Sequence, residues 1–74
     1  LAIGAPVVHE DHGVGRYLGL MTLDVGGQSG EFLAIEYAKG DKLYVPVANL
    51  HLVGRYTGSA PEHAPLHSLG GFLI

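Results

Sequence analysis

The sequence predicts an all-β fold, a small antiparallel barrel of about five strands. Twelve glycines and four prolines divide the 74 residues into short segments, which leaves little room for helices. The segments between them are apolar or alternate between apolar and polar residues, as strands do. No stretch sustains the apolar period of about 3.6 residues that a helical bundle requires. A chain of this length favours one domain with a small core.

The first two predicted strands cover residues 5–9 and 14–24. Residues 5–9 (APVVH) form a short apolar run behind a proline. Residues 14–24 (VGRYLGLMTLD) are longer and contain Gly15 and Gly19. Glycines inside a strand indicate a bulge or a sharp bend, which a small barrel needs in order to close. Residues 25–30 (VGGQSG) are predicted to be a turn or short loop.

The third predicted strand, residues 31–38 (EFLAIEYA), has the clearest alternation. Leu33, Ile35 and Tyr37 share one face, which we expect to point into the core. Residues 39–42 (KGDK) follow as a tight turn, because a Gly-Asp pair accepts unusual backbone angles.

The fourth predicted strand, residues 43–47 (LYVPV), is expected at an edge of the sheet. Leu43 and Val45 have the inward parity, so Tyr44 should point outward. Pro46 has no N–H to donate to a neighbouring strand, and proline within a sheet is therefore confined to edges or strand ends.

The last strand is predicted within residues 48–56, after one helical turn, and runs through Leu52 and Val53. Beyond it the alternation ends. We therefore expect a domain at 1–58 and a connector at 59–74. The chain begins with leucine and ends on GGFLI, which suggests a part excised from a longer protein.

The charge and composition argue against several classes of function. The net charge is −3 with only four basic residues, whereas nucleic-acid binding draws most of its affinity from lysine and arginine contacts to phosphates. The sequence has no cysteine, which rules out disulfides and thiolate metal sites and fits a reducing compartment. No apolar run approaches the length of about 20 residues that a membrane helix needs.

The stretch HEDH, residues 9–12, raises the question of a metal or acid–base site. On a strand, His9 and His12 should point to opposite faces, and a zinc site usually needs three or four protein ligands. A turn is the better interpretation: Asp11 and His12 can bond to nearby backbone groups, and Gly13 can adopt a positive φ. We therefore predict a structural turn without a metal.

Catalysis has little support in the sequence. There is no cysteine nucleophile, and Ser29, Ser59 and Ser68 lie in loops without an evident base nearby. GVGRYLG lacks the lysine of a phosphate-binding P-loop, and no predicted helix follows it. A barrel this small also has little room for a deep pocket. We expect no enzymatic activity and no cofactor.

Three apolar residues occupy positions that are predicted to face outward or that a polar residue would usually occupy: Met21, Leu23 and Tyr44. Two interpretations remain open. Exposed single apolar side chains are ordinary in small domains. Alternatively, these residues form an apolar patch near an exposed strand edge that docks another protein, and such an edge can also pair with a strand of the partner.

Three segments resemble one known family: VVHEDHGVGRYLGLMTLDVGG, GEFLAIEYAKGDKLYVPVANLHLVGRY and APLHSLGG. They are similar to the RNA-polymerase-interacting domain of bacterial transcription-repair coupling factors, a module also found in CarD-type transcription regulators. The resemblance covers residues 3–71. The final FLI departs from it, because the family usually has a tryptophan shortly after LGG.

The resemblance implies a Tudor-like (SH3-like) barrel with a non-enzymatic role. It implies that the module holds the β subunit of RNA polymerase, while a separate ATP-driven motor of the longer protein releases stalled polymerase and helps to recruit nucleotide-excision repair. A cytoplasmic, monomeric module is expected. The residues matched to contact positions are Leu23 and Tyr44, with Met21, Thr22, Asp24 and Lys42 as their neighbours.

Two alternatives to the coupling-factor interpretation remain. One is a CarD-like regulator module. The other is a Tudor- or SH3-like module that binds nucleic acid or a modified peptide, for which an aromatic cage would be needed. The four tyrosines supply aromatic side chains, but Tyr37 is already assigned to the core.

Overall fold

The computed structural model describes residues 1–69, which form one antiparallel sheet of five strands in the order β4-β3-β2-β1-β5. The all-β class is confirmed, and the five-stranded antiparallel sheet with little helix is consistent with a Tudor-like barrel. The strands are β1 (Pro6–His9), β2 (Gly13–Val25), β3 (Gln28–Glu36), β4 (Lys42–Pro46) and β5 (Val53–Arg55). Short 3-10 helices lie at Ala38–Gly40, Val47–Leu52 and Pro61–His63.

Gly15 and Gly19, the two glycines predicted inside the second strand, have different roles in β2. The pairing of β2 with β3 shifts register between Tyr17 and Gly19, and Gly19 has a φ of 115°. This is the predicted bulge. Gly15 serves a different need, because a Cβ there would lie 2.5 Å from Cγ2 of Ile35 and 2.9 Å from the Glu36 carbonyl oxygen. A side chain at this position would push β2 and β3 apart.

The connection between β2 and β3 is shorter than the loop predicted at 25–30. Only Gly26 and Gly27 form the turn, with φ values of 61° and 84°, and Val25 already pairs with Gln28. Two central residues with positive φ match the two-residue hairpin turn whose twist fits antiparallel strands. Residues 28–30 therefore extend β3 instead of belonging to the loop.

The core lies on the face that the alternation of β3 predicted. Ile35 and Val7 are fully buried, and Tyr37 is 1% exposed. Burying such an aliphatic side chain contributes about 1.5–3 kcal/mol to folding. The cluster of buried residues comprises Val7, Tyr17, Leu33, Ile35, Tyr37 and Val45, with Leu43, Val53 and Leu69 packed against it.

The segment after β5 packs onto the barrel. Ala64 is buried and Leu69 contacts the core cluster. The His67 N–H donates to the Val14 carbonyl at 2.9 Å, and the His67 carbonyl accepts from the Ala38 N–H at 2.9 Å. Contacts therefore cross the domain boundary predicted at residue 58. Residues 70–74, which include the FLI that departs from the family pattern, lie outside the described residues.

Candidate functional site

The sheet extends into a two-stranded hairpin, residues 20–31, here called the arm. Its base is fixed on both sides: β1 pairs with β2 as far as Arg16, and β4 pairs with β3 from Phe32 onward. Between these limits β2 and β3 pair with each other alone within the described part of the chain. The arm is thus a strand pair whose two outer edges meet no further strand of residues 1–69.

One face of the arm and of the adjoining β4 is apolar. Residues directly opposite each other in an antiparallel ladder share a face. Met21 pairs with Phe32, which pairs with Pro46. Leu23, Val25 and Tyr44 have the same parity on their strands. We call this surface the docking patch: Met21, Leu23, Val25, Phe32, Tyr44 and Pro46.

The docking patch is accessible. Tyr44 is 40% exposed, Met21 39% and Val25 62%, whereas Leu23 is half-buried. Leu23 lies opposite Gly30, which has no side chain. A Cβ at Gly30 would be 3.2 Å from Cε1 of Phe32, so the aromatic ring leans over this glycine beside Leu23. Leu23 and Phe32 form the centre of the patch for this reason.

The arm also offers an open strand edge. The segment preceding β1 bonds to β2 at Tyr17, whose carbonyl accepts from Gly4 N–H at 2.7 Å. Beyond Tyr17, no strand of residues 1–69 covers this edge of β2. Val25 and Gln28 close a two-residue turn, and such a closing pair is hydrogen-bonded. Alternation of the ladder then directs the backbone groups of Thr22 and Asp24 away from β3, to the side on which no strand of residues 1–69 lies.

Thr22, Asp24 and Lys42 are placed differently from the docking patch. Thr22 and Asp24 point to the opposite face of the arm, where the Thr22 hydroxyl donates to Oε1 of Glu31 at 2.7 Å. Lys42 pairs with Glu36 on β3, six positions from Gly30. That separation is about 20 Å along the strand, so Lys42 lies near Tyr44 and far from Leu23.

Sequence reasoning did not single out Phe32 and Pro46 as surface residues. The alternation of β3 already placed Phe32 on the face opposite the core. Its position beside Leu23, however, depends on the register of β2 against β3, and that register is fixed by the two-residue turn. With Gly26 and Gly27 recognised as that turn, the pairing of Met21 with Phe32 follows by counting.

The two histidines at the N-terminal turn contact each other, contrary to the expectation that they point to opposite faces. Strand β1 ends at His9, and the chain folds back so that the His12 ring lies 4.7 Å from the His9 ring, centroid to centroid, at 47°. Asp11 N–H donates to Nδ1 of His9 at 3.0 Å. Burial, followed by the charge of His12, lowers the pKa of His9 below 6.5, while Asp11 and Glu10 act in the opposite direction.

The remaining surface of residues 1–69 carries few groups suited to metal binding or catalysis. Among residues 1–69, no three histidine, cysteine, aspartate or glutamate side chains are grouped to hold a metal ion. A groove of about 300 Å³ near β5 is lined by alanine, leucine and proline residues, with Arg55 and Tyr56 as its polar members. Its lining contains no carboxylate, histidine or serine that could act as acid, base or nucleophile.

Comparison with known proteins identifies the family. Residues 1–57 match the family described as the CarD-like/TRCF RID domain. The chain belongs to this family. The match includes the whole sheet, the arm and the docking patch, since β5 ends at Arg55.

Relatives of this CarD-like/TRCF RID domain are named transcription-repair-coupling factors. That of Escherichia coli K12 is 62% identical over 71 residues, covering 96% of this chain. That of Haemophilus influenzae Rd is 63% identical over 70 residues, covering 95%, and that of Bacillus subtilis 168 is 46% identical over 71, covering 96%. The matched part is 6% of the length of each of these relatives. No helix within residues 1–69 is long and apolar enough to cross a membrane.

Proposed function

We propose that this RID domain docks a transcription-repair-coupling factor onto the β subunit of bacterial RNA polymerase. The observation that supports the proposal most directly is the docking patch, an exposed apolar face beside an open strand edge. Isolated exposed apolar residues are ordinary, but contiguous ones next to an unpaired strand are typical of protein interfaces. The family and the names of the relatives favour RNA polymerase as the partner.

Docking combines two kinds of contact. A strand of the polymerase pairs with the open edge of the arm through the backbone groups of Thr22 and Asp24, which supplies affinity that does not depend on side chains. Leu23 then enters an apolar pocket of the partner, flanked by Phe32 and Tyr44. Side chains at the rim, Lys42 among them, contribute less because exposed charges are screened by solvent.

The RID domain acts as the attachment point and does no chemistry itself. In this proposal the longer protein carries the ATP-driven motor that moves along DNA, releases stalled polymerase and helps to recruit nucleotide-excision repair in the cytoplasm. The domain binds as a monomer and needs no cofactor. It does not contact DNA directly, in keeping with its net charge of −3.

Leu23→Arg tests the docking patch. We expect the variant to fold normally and to bind the β subunit at least about 30-fold more weakly, because a central anchor contributes about 2 kcal/mol or more. Binding is measured by titrating the labelled domain with the isolated polymerase β lobe.

Leu20→Arg is the matched control, because Leu20 is on the same strand, 61% exposed, and points to the opposite face of the arm. It adds the same charge three residues away from Leu23 and should leave affinity within about twofold. Equal loss of binding in both variants would show that added charge, not the docking patch, is responsible. Wild-type affinity in a folded Leu23→Arg variant would refute the proposal.

A further inference from the structure

His67 is held by three hydrogen bonds to β2 and to the 3-10 helix that follows β3. Its backbone N–H donates to the Val14 carbonyl and its own carbonyl accepts from Ala38 N–H, both at 2.9 Å. Its ring adds a third bond, in which Nδ1 accepts from the Val14 N–H at 2.9 Å. The imidazole thus completes the pairing with Val14 that a strand residue would make through its carbonyl oxygen.

The hairpin at the start of β2 is shaped to admit this ring. A Cβ at Gly13 would overlap Nδ1 of His67 and come within 2.9 Å of its Cγ. The absence of a side chain at Gly13 therefore creates the space in which the imidazole lies. The rest of the segment is held in place by apolar contacts, because Ala64 is buried and Leu69 packs on the core. We call residues 64–69 the strap.

The bond from Val14 requires one protonation state of the ring. An N–H donor must meet a nitrogen with a lone pair, so Nδ1 has to be unprotonated and the ring proton has to lie on Nε2. When the ring takes up a second proton, Nδ1 becomes a donor and points at another donor. The ring of His67 is reached by solvent, because the residue is exposed.

We propose that His67 is a pH-sensitive latch that fastens the strap to the barrel and releases it when the imidazole is protonated. With the ring neutral, the strap is fixed to the start of β2 and to Ala38, the first residue of the 3-10 helix after β3. With the ring charged, the hydrogen bond from the Val14 N–H to Nδ1 is lost, and this N–H is left facing a cation. The strap then opens locally while the barrel stays folded.

Other titratable groups lie on the elements that contact His67. Tyr37 donates its hydroxyl to the Gly13 carbonyl at 3.3 Å, and burial raises the pKa of Tyr37 to about 12, so it stays neutral throughout. His9, Asp11 and His12 are in the turn that precedes Gly13. The variants therefore have to separate an effect of His67 from an effect of these residues.

The experiment compares amide hydrogen exchange at pH 7.5 and pH 5.5 in the wild type, His67→Asn and His67→Ala. Protection factors, which correct for the intrinsic pH dependence of exchange, are measured for Val14 and Ala38. Asparagine places an amide oxygen near the position of Nδ1 and does not titrate, so it keeps the acceptor at both pH values. The amides of Leu33 and Ile35 report global unfolding.

We expect protection of Val14 and Ala38 in the wild type to fall by about tenfold at pH 5.5, because protonation removes the lone pair of Nδ1 that the Val14 N–H requires, with Leu33 and Ile35 changing less. His67→Asn should stay protected at both values, and His67→Ala should be unprotected at both. The latch is refuted by unchanged wild-type protection at pH 5.5. It is equally refuted by an undiminished pH dependence in His67→Asn, which would assign the effect to the turn histidines.

Discussion

At the scale of single residues, position 13 requires glycine for two reasons, and one substitution there would conflict with both. Its φ is 83°, a conformation that L-residues avoid, and the ring of His67 occupies the space of a Cβ. The first requirement follows from the sequence, because a glycine after Asp11-His12 is typical of a turn. The second does not, because 53 residues separate Val14 from His67 along the chain.

Gly13→Ala should destabilise the domain clearly more than Gly4→Ala. Gly4 has a similar φ of 90° but nothing within 4 Å of its would-be Cβ. We expect about 1 kcal/mol for Gly4→Ala from the backbone alone and at least about twice that for Gly13→Ala, which also displaces His67. Urea denaturation of both variants measures the difference. Equal losses would mean that the ring moves aside without cost.

At the scale of elements, the strands were predictable and their partners less so. The alternation of β3 identified Leu33, Ile35 and Tyr37 as core residues, and Gly19 indicated the bulge, because both signals are local. The docking patch combines residues from β2, β3 and β4. Which of them lie side by side depends on the register of these strands, and a difference of two residues in the turn between β2 and β3 would change that register. The strap has no such local signal: its segment is irregular, and His67 pairs with residues distant in sequence.

Removing residues 59–74 should destabilise the barrel if the strap is part of the domain. The truncated chain loses three hydrogen bonds at His67 and the packing of Leu69, which together contribute about 3 kcal/mol or more. Thermal melting followed by circular dichroism should show a clearly lower Tm. The double variant His67→Ala/Leu69→Ala in the whole chain should reproduce most of that decrease. An unchanged Tm after truncation would support the boundary predicted at residue 58.

At the scale of the whole molecule, β2 connects the two features that this domain combines. Val14, near its start, holds the strap, and Leu23, near its end, lies in the docking patch. Nine residues separate them, about 30 Å in an extended strand. The arm and the attachment point of the strap are therefore joined by one strand, a stiffer connection than a flexible linker would provide.

The stability of the whole domain should depend on His9 near neutral pH. His9 is 5% exposed, and burial first, then His12, lowers its pKa below the ordinary value of 6.5. The unfolded chain therefore takes up a proton at a higher pH than the folded one does. The stabilisation from a neutral His9 is complete above pH 6.5 and is lost as the pH falls through the lowered pKa of the folded state.

His9→Asn tests this directly, because its amide oxygen can still accept from Asp11 N–H but does not titrate. Both proteins carry His67→Asn, so that the latch contributes nothing, and urea denaturation gives the free energy of unfolding from pH 7.5 to pH 5. We expect a flatter dependence when His9 is replaced. His51→Asn, at an exposed histidine on the Val47–Leu52 helix, should leave the slope unchanged. An equal slope with and without His9 would mean that its buried ring is not what limits stability in acid.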